Sequence, residues 1–349
     1  MKKAALVVGA RPQFIKTAPL ILELGRFFKT VLIHTGQHYD FMMSEKFFDE
    51  LAIPSPDYHL EIKYRSSVKQ IGKMLQGLES ALSSEKPDLA IVVGDTNSTL
   101  AGAIASVKSG LPLAHIEAGV RSKSKALPEQ INRVATDSIT DYFLCPTPLS
   151  VENLKHEGKS EHLYDTGDVI YDCLKLYEKR IPRAPVGLGR LPDKFILATI
   201  HRAEAVDIEE NLADILRSLG TAPFPVILPA HPRTQKMLKK FNLARELPGN
   251  MILIDPLSYL NILSLVKRSQ LVVTDSGGVQ REAIYLGKPV IVARPETEWV
   301  EYEKLGCLKV AGYNFDLSEK IEFPKERSAE LVNLLRPAAA KIAEILSGL

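Results

Sequence analysis

Short apolar runs alternate along the chain with segments whose apolar positions recur at helical spacing. Residues 4–9, 30–36 (TVLIHTG), 89–94 (LAIVVG), 113–119 (LAHIEAG), 142–146 and 162–167 read as strands, with helical patterns over 19–28, 98–109 and 129–140. These runs are apolar at consecutive positions, not alternate ones. Both faces of each strand are therefore expected to be covered, as in a parallel sheet. Residues 181–192 (IPRAPVGLGRLP) carry no period and are rich in proline and glycine, which marks a linker. The alternation then restarts with 195–200, 225–229, 251–254, 271–274 and 289–293. Residues 325–349 read as one amphipathic helix. The predicted architecture is α/β, with two Rossmann-like doubly wound domains. The first spans 1–170 and is joined by the C-terminal helix 335–349; the second spans 171–334.

With 349 residues the chain is too long for one ordinary core. Hydrophobic residues at 45% and charged ones at 25% fit a globular protein. The balance of 44 Lys and Arg against 42 Asp and Glu argues against a surface built to hold nucleic acid or an anionic membrane. The three cysteines, Cys145, Cys173 and Cys307, form no CxxC pair, and a reducing cytoplasm is expected. The opening MKKAALVVGARP has the lysines of a signal peptide, but its apolar run is too short before Arg11 and Pro12, so it reads as a first strand. No apolar stretch approaches a membrane span in length.

The chemistry is concentrated where the strands end. In open parallel sheets, ligands bind beyond the carboxyl ends of the strands. Those ends carry Gly9-Ala10-Arg11 with Lys16 one turn on, then Gly36-Gln37-His38, Gly94-Asp95-Thr96, and Glu117-Ala118-Gly119 followed by Arg121. In the second half they carry His201-Arg202, His231-Pro232 and Asp275-Ser276-Gly277-Gly278. All these tips are expected to face one cleft between the domains. Asp95 and Asp275 are also natural helix N-caps, and either histidine alone would more often be a structural hydrogen-bonder. Repetition is what favours a site: caps alone do not call for two histidines, several arginines and Glu117. Ser276-Gly277-Gly278 opens a helix, where free N–H groups favour an anion such as a diphosphate. Glu282 follows one turn on, placed either to accept ribose hydroxyls or to sit in solvent.

Familiar alternatives are missing. After the first strand there is no GxGxxG, and the chain has no GxxxxGK[ST], HExxH or GxSxG. His115-x-Glu117 lies on a predicted strand and makes a poor metal site. No metal and no redox cofactor is expected.

In order along the chain, GARPQFIK (9–16), TGQH (35–38), GDT (94–96), HIEAGVR (115–121), PEQINR (128–133), GDVIYD (167–172), HRAE (201–204), His231-Pro232, TDSGGVQ (274–280) and RPETE (294–298) resemble the non-hydrolysing UDP-N-acetylglucosamine 2-epimerase family over essentially the whole length. The resemblance implies a glycosyltransferase-B-like pair of domains, a homodimer, a UDP-sugar substrate, and a role in polysaccharide or glycan precursor synthesis. It implies nucleotide and phosphate binding by Arg11, Lys16, His201, Ser276, Gly277, Gly278 and Glu282, and catalytic carboxylates at Asp95, Glu117 and Glu129. His201 is also a catalytic candidate, and Arg121, His231 and Arg281 are additional site candidates. The sequence departs from the family at Gln130, where a second Glu is common, and at Ala205, Arg281 and Trp299. Asp40 stands where some bacterial members have a residue of an allosteric substrate site. GARPQFIK, HTGQHYD, GDVIYD and TEWVE look more like a sister branch that acts on UDP-2,3-diacetamido-2,3-dideoxy-glucuronic acid. Arg281 would suit that substrate's carboxylate, or would stand exposed on its helix.

The C2 hydrogen of such a sugar is not next to a carbonyl, so direct deprotonation to a carbanion is unfavourable. Loss of UDP from C1 as the C2 proton is removed gives a neutral glycal. Re-addition of UDP with protonation on the other face gives the epimer, and the family resemblance implies the same path. One carboxylate base and one proton donor are required, to be shared among Asp95, Glu117 and Glu129, where close carboxylates would keep one of them protonated. A glycosyltransferase, a hydrolysing relative that releases UDP, and a non-catalytic UDP-sugar sensor are the competing readings.

Overall fold

The computed structural model describes residues 1–37, 50–62, 64, 66–318 and 328–349. His38 and Asp40 lie outside the described residues. The chain divides into two compact units, Met1–Leu176 with Leu334–Leu349, and Tyr177–Asn333.

The first unit is built on seven parallel strands, β1 (Lys2–Val8), β2 (Phe28–His34), β3 (Tyr58–His59), β4 (Leu89–Val93), β5 (Leu113–Ile116), β6 (Tyr142–Cys145) and β7 (Leu163–Asp165). Their order in the sheet is β3-β2-β1-β4-β5-β6-β7. The chain moves outward from β1 through β2 to β3, then returns to the other side of β1 with β4. That reversal makes the β1/β4 edge the topological switch point, where Val7 pairs with Val92. Of the central strands, β4 and β5 are buried throughout and β1 is buried from Ala4 to Val8, as coverage of both faces requires. Met74, Leu78 and Leu82 of the helix Ser67–Glu85 and Ala101 and Ala105 of the helix Asn97–Lys108 cover one face of the sheet, against Ala5, Val7, Ile33 and Val92.

The second unit repeats the plan with β8 (Ile196–Thr199), β9 (Val226–Pro229), β10 (Met251–Ile254), β11 (Leu271–Thr274), β12 (Val290–Val292) and β13 (Leu308–Val310), in the order β10-β9-β8-β11-β12-β13. Its switch point is β8/β11, where Thr274 pairs with Thr199. Both units are thus doubly wound, as the sequence predicts.

Two local expectations are corrected. The first helix is Arg11–Leu24, not 19–28. Pro12 lies in its first turn, where a missing N–H costs nothing, and Pro19 lies inside it. The C-terminal stretch is not one helix. Ala329–Leu334 and Ala339–Ser347 are separate, because Pro337 removes a donor and disfavours helix at Arg336. The last helix packs on Arg11–Leu24.

The carboxylate of Asp172 anchors this packing by accepting the N–H groups of Ala338 (2.6 Å) and Ala339 (3.3 Å). Burial pushes the Asp172 acid up to about 6 against the pull of those hydrogen bonds, and the charge of Asp168 adds to the rise. Between pH 4 and 6, roughly, the folded chain therefore keeps a proton that the unfolded chain has released, and stability falls as pH rises through that window. Asp172→Asn keeps an acceptor and removes the charge. Urea melts are expected to show the variant gaining on the wild type between pH 4.5 and 7.5, by on the order of 2 kcal/mol for a shift of about two pH units. Groups titrating elsewhere cancel in that difference, and an equal gap at both pH values would contradict the assignment.

Candidate active site

At the first switch point, the Gln13 side chain joins the two strand tips. Its Oε1 accepts the N–H groups of Gly9 (2.8 Å) and Ala10 (2.9 Å), and its Nε2 donates to the carbonyl of Val93 (2.9 Å). A methyl group at Gly9 would overlap Thr35 Oγ1 and Ser98 Oγ, so only glycine lets β1 end here. The turn that follows directs Arg11 and Lys16 from the first helix. Lys16 is buried and its Nζ lies 2.6 Å from Glu117 Oε2, also buried. Glu117 follows β5 with φ at +70°, in the left-handed region that a non-glycine residue enters only at a cost.

Asp95 follows β4 and is partly exposed. The Arg133 guanidinium holds its carboxylate, Asn132 Nδ2 donates to its main-chain carbonyl (2.9 Å), and Arg133 Nη1 also reaches Ser122 Oγ (3.0 Å). Asn132 and Arg133 lie on the helix Pro128–Ser138, which carries Glu129 in its first turn. Gln130, the departure from a second acid, accepts the Ser122 N–H (2.8 Å). Asp95 and Glu117 thus each carry a basic partner of their own. Asp137, from the last turn of the same helix, takes up Arg121. Its Oδ2 accepts from Arg121 Nη1 (2.7 Å), and Arg121 also makes two bonds to Glu157 (2.7 and 2.6 Å). The Arg121 side chain therefore braces the turn after Glu117.

At the second switch point, Asp275 plays the part of Gln13. It is fully buried, and its Oδ2 accepts the N–H groups of His201 and Arg202, both at 2.7 Å. His201 Nδ1 lies 3.5 Å from Asp275 Oδ1, and the His201 and His231 rings are 5.4 Å apart. The helix Gly277–Tyr285 is capped by Ser276, whose Oγ accepts the Val279 N–H; Asp275 is not the cap. The two glycines differ. A methyl at Gly277 would overlap Glu298 Oε1, so Gly277 is fixed by packing, whereas a methyl at Gly278 would meet only Ser276 Oγ, at 3.9 Å.

Glu298 belongs to a network of charges. Arg294 lies within 3.3 Å of Glu298 and 3.4 Å of Glu204, and Arg202 Nη2 is 3.8 Å from Glu298. HRAE and RPETE are therefore one structural unit behind the glycine turn. Glu282 is buried rather than solvated, and Arg281 is buried with its guanidinium 3.9 Å from the centre of the Trp299 ring, a cation–π contact. Arg281 is therefore not exposed on its helix. The sequence gives no separate signal for Gln13, Asn132, Arg133, Asp137, Arg294 and Glu298, and it offers Asp275 only as a strand tip or helix cap and His115 only as a poor metal ligand. Most lie inside the motifs, but their partners are distant in sequence. Among the described residues, no group of three or more His, Cys, Asp or Glu side chains is arranged to hold a metal ion, and no helix is long and apolar enough to cross a membrane.

The family model for UDP-N-acetylglucosamine 2-epimerase matches residues 22–323. The chain belongs to the UDP-N-acetylglucosamine 2-epimerase family. This epimerase-family chain is 44% identical over 343 residues to a UDP-N-acetylglucosamine 2-epimerase homolog of Methanococcus maripaludis, covering 97% of this chain and 93% of the relative. It is 43% identical over 324 residues to the UDP-2,3-diacetamido-2,3-dideoxy-D-glucuronate 2-epimerase of Pseudomonas aeruginosa, covering 90% of each. Its structure resembles the crystal structure of Methanocaldococcus jannaschii UDP-GlcNAc 2-epimerase in complex with UDP-GlcNAc and UDP, with a TM-score of 0.84, 35% identity and complete coverage of both chains.

Proposed function

We propose that this epimerase interconverts UDP-N-acetylglucosamine and UDP-N-acetylmannosamine by eliminating and re-adding UDP. The observation that carries the reading is the first switch point: two carboxylates, Asp95 and Glu117, stand at adjacent strand ends, each held by a cation from a helix of the same unit. One carboxylate of Asp95, Glu117 and Glu129 takes the C2 proton as the C1–O bond to UDP breaks, leaving a neutral glycal. A second delivers a proton to the opposite face of C2 as the β-phosphate oxygen re-forms the bond to C1. Arg11 and Lys16 stabilise charge on the departing diphosphate. In the second unit, Ser276, Gly277 and Gly278 offer main-chain N–H groups to phosphate, Glu282 the ribose contact, and His201 and His231 flank the nucleotide. A homodimer in the cytoplasm completes the reading.

The test is NMR of the purified protein with UDP-N-acetylglucosamine in heavy water. Appearance of UDP-N-acetylmannosamine with deuterium at C2 is expected. Release of free sugar would favour a hydrolase, and a substrate left unchanged, with its C2 proton unexchanged, would overturn the reading for this sugar. The P. aeruginosa relative, at 43% identity, favours a second reading in which the substrate is UDP-2,3-diacetamido-2,3-dideoxy-glucuronate. The same experiment with that sugar decides between them.

A further inference from the structure

His115, on β5, is completely buried, and both of its ring nitrogens are in hydrogen-bond contact. Nδ1 lies 2.7 Å from Asp137 Oδ1, and Nε2 lies 2.7 Å from the main-chain carbonyl oxygen of Gly94. A carbonyl oxygen has no hydrogen to give, so Nε2 is a donor. Asp137 also only accepts: its Oδ2 takes the Gly119 N–H (3.0 Å) and an Arg121 N–H (2.7 Å). Burial would push the Asp137 acid up, but the charge and hydrogen bond of His115, with Arg121 and the Gly119 N–H, hold it below the usual carboxylate range. Independently of the ring, the Arg121 guanidinium and the Gly119 N–H both donate to Oδ2, so the carboxyl is an anion and Nδ1 donates to Oδ1. A neutral imidazole carries one N–H; this ring needs two.

We propose that His115 is a buried imidazolium and a positioning residue for the Gly94-Asp95 turn. The Gly94 N–H donates to the carbonyl of Ile116 (2.9 Å), and the Gly94 carbonyl accepts from His115. Gly94 itself is left-handed, with φ at +69°, and Asn132 and Arg133 hold Asp95 beyond it. The direction in which Asp95 leaves β4 is thus set by the His115 hydrogen bond on one side and by the helix Pro128–Ser138 on the other. The surrounding charges alternate, with His115, Asp137, Arg121 and Glu157 in series. The Lys16–Glu117 pair borders Gly94 from the other side. A cation at position 115 therefore completes a neutral chain of ion pairs inside the unit, where an isolated charge would be costly.

The effect on turnover rests on the epimerase reading; the protonation of the ring does not. The first measurement is ¹⁵N NMR of the full-length protein with labelled histidine, the His115 ring being assigned through its backbone. Two protonated ring nitrogens at pH 7.5 are expected, and a neutral ring would overturn the proposal whether or not any UDP-sugar is turned over. The second measurement uses two variants that divide the contacts. His115→Gln keeps a donor at the Nε2 position for Gly94, and His115→Asn keeps only the donor for Asp137. His115→Asn is expected to lose on the order of 10²-fold in kcat with KM within about threefold, and His115→Gln less than about tenfold, since misplacing a reacting group by about an ångström has costs of that size. Folded variants with equal kcat, or a His115→Asn variant with wild-type kcat, would overturn the positioning role. If neither variant folds, His115 is structural and the positioning role is overturned, while the wild-type spectrum still decides the protonation of the ring.

Discussion

Asp95→Asn is expected to lower kcat by at least about 10³-fold while UDP binding stays within about threefold. General acid–base groups contribute factors of about 10² to 10⁴, and asparagine can neither take nor give the proton. The substitution leaves the surroundings in place. Its side-chain oxygen still accepts from Arg133, and the Asn132 bond is to the main-chain carbonyl of residue 95, which does not change. Arg133 is buried but the Asp95 side chain is partly exposed, so loss of this charge costs less stability than loss of the Glu117 charge. The phosphate and ribose contacts are assigned to other residues, mostly of the second unit. Turnover followed by NMR and UDP binding by calorimetry therefore separate the two roles. Retained turnover would remove Asp95 from the chemistry. Loss of UDP affinity in parallel would make it a binding residue instead.

The frame of this protein is legible in its sequence because covered parallel strands must be apolar on both faces. β1, β2, β4 to β6, β8, β9, β11 and β12 follow from that rule, while β7 and β10 are edge strands that are only partly buried. β3 and β13 do not follow from it. Tyr58–His59 is a two-residue edge strand without an apolar run, and Leu308–Val310 carries an exposed lysine at its centre. The first helix is displaced in the sequence reading because Arg11-Pro12 reads as the end of a strand, although proline suits the first turn of a helix. The strand tips are equally legible, since the doubly wound fold dictates where ligands bind. What lies behind them is not. Asp95 and Arg133 are 38 residues apart, and His115 and Asp137 are 22 apart; no local pattern announces either pair. For Arg121, its place after a strand tip suggests a ligand contact, and its ion pairs with Asp137 and Glu157 are not announced by the sequence. The same limit applies at Gly277, whose lack of a side chain is explained by Glu298, twenty-one residues on.

Glu117→Gln is expected to remove turnover and also to destabilise the protein by about 3 kcal/mol, because it leaves the buried Lys16 ammonium beside a neutral amide. Those two losses have different origins, and the double variant Lys16→Met/Glu117→Gln separates them. With both charges gone, most of the lost stability is expected to return, since replacing a whole buried pair by neutral groups is often neutral or better. Turnover is not expected to return. The backbone points the same way. Glu117 sits at φ +70°, a conformation that costs a non-glycine residue on the order of 1 kcal/mol or more, and the pair itself is not a source of stability. On the proposed function, a strained backbone and a desolvated ion pair at one strand end serve the reaction and not folding. Urea melts and turnover of the three proteins test this directly. A double variant as unstable as Glu117→Gln would show that the pair holds the fold, and a Glu117→Gln variant that still turns over would show that the strain serves something other than the C2 proton.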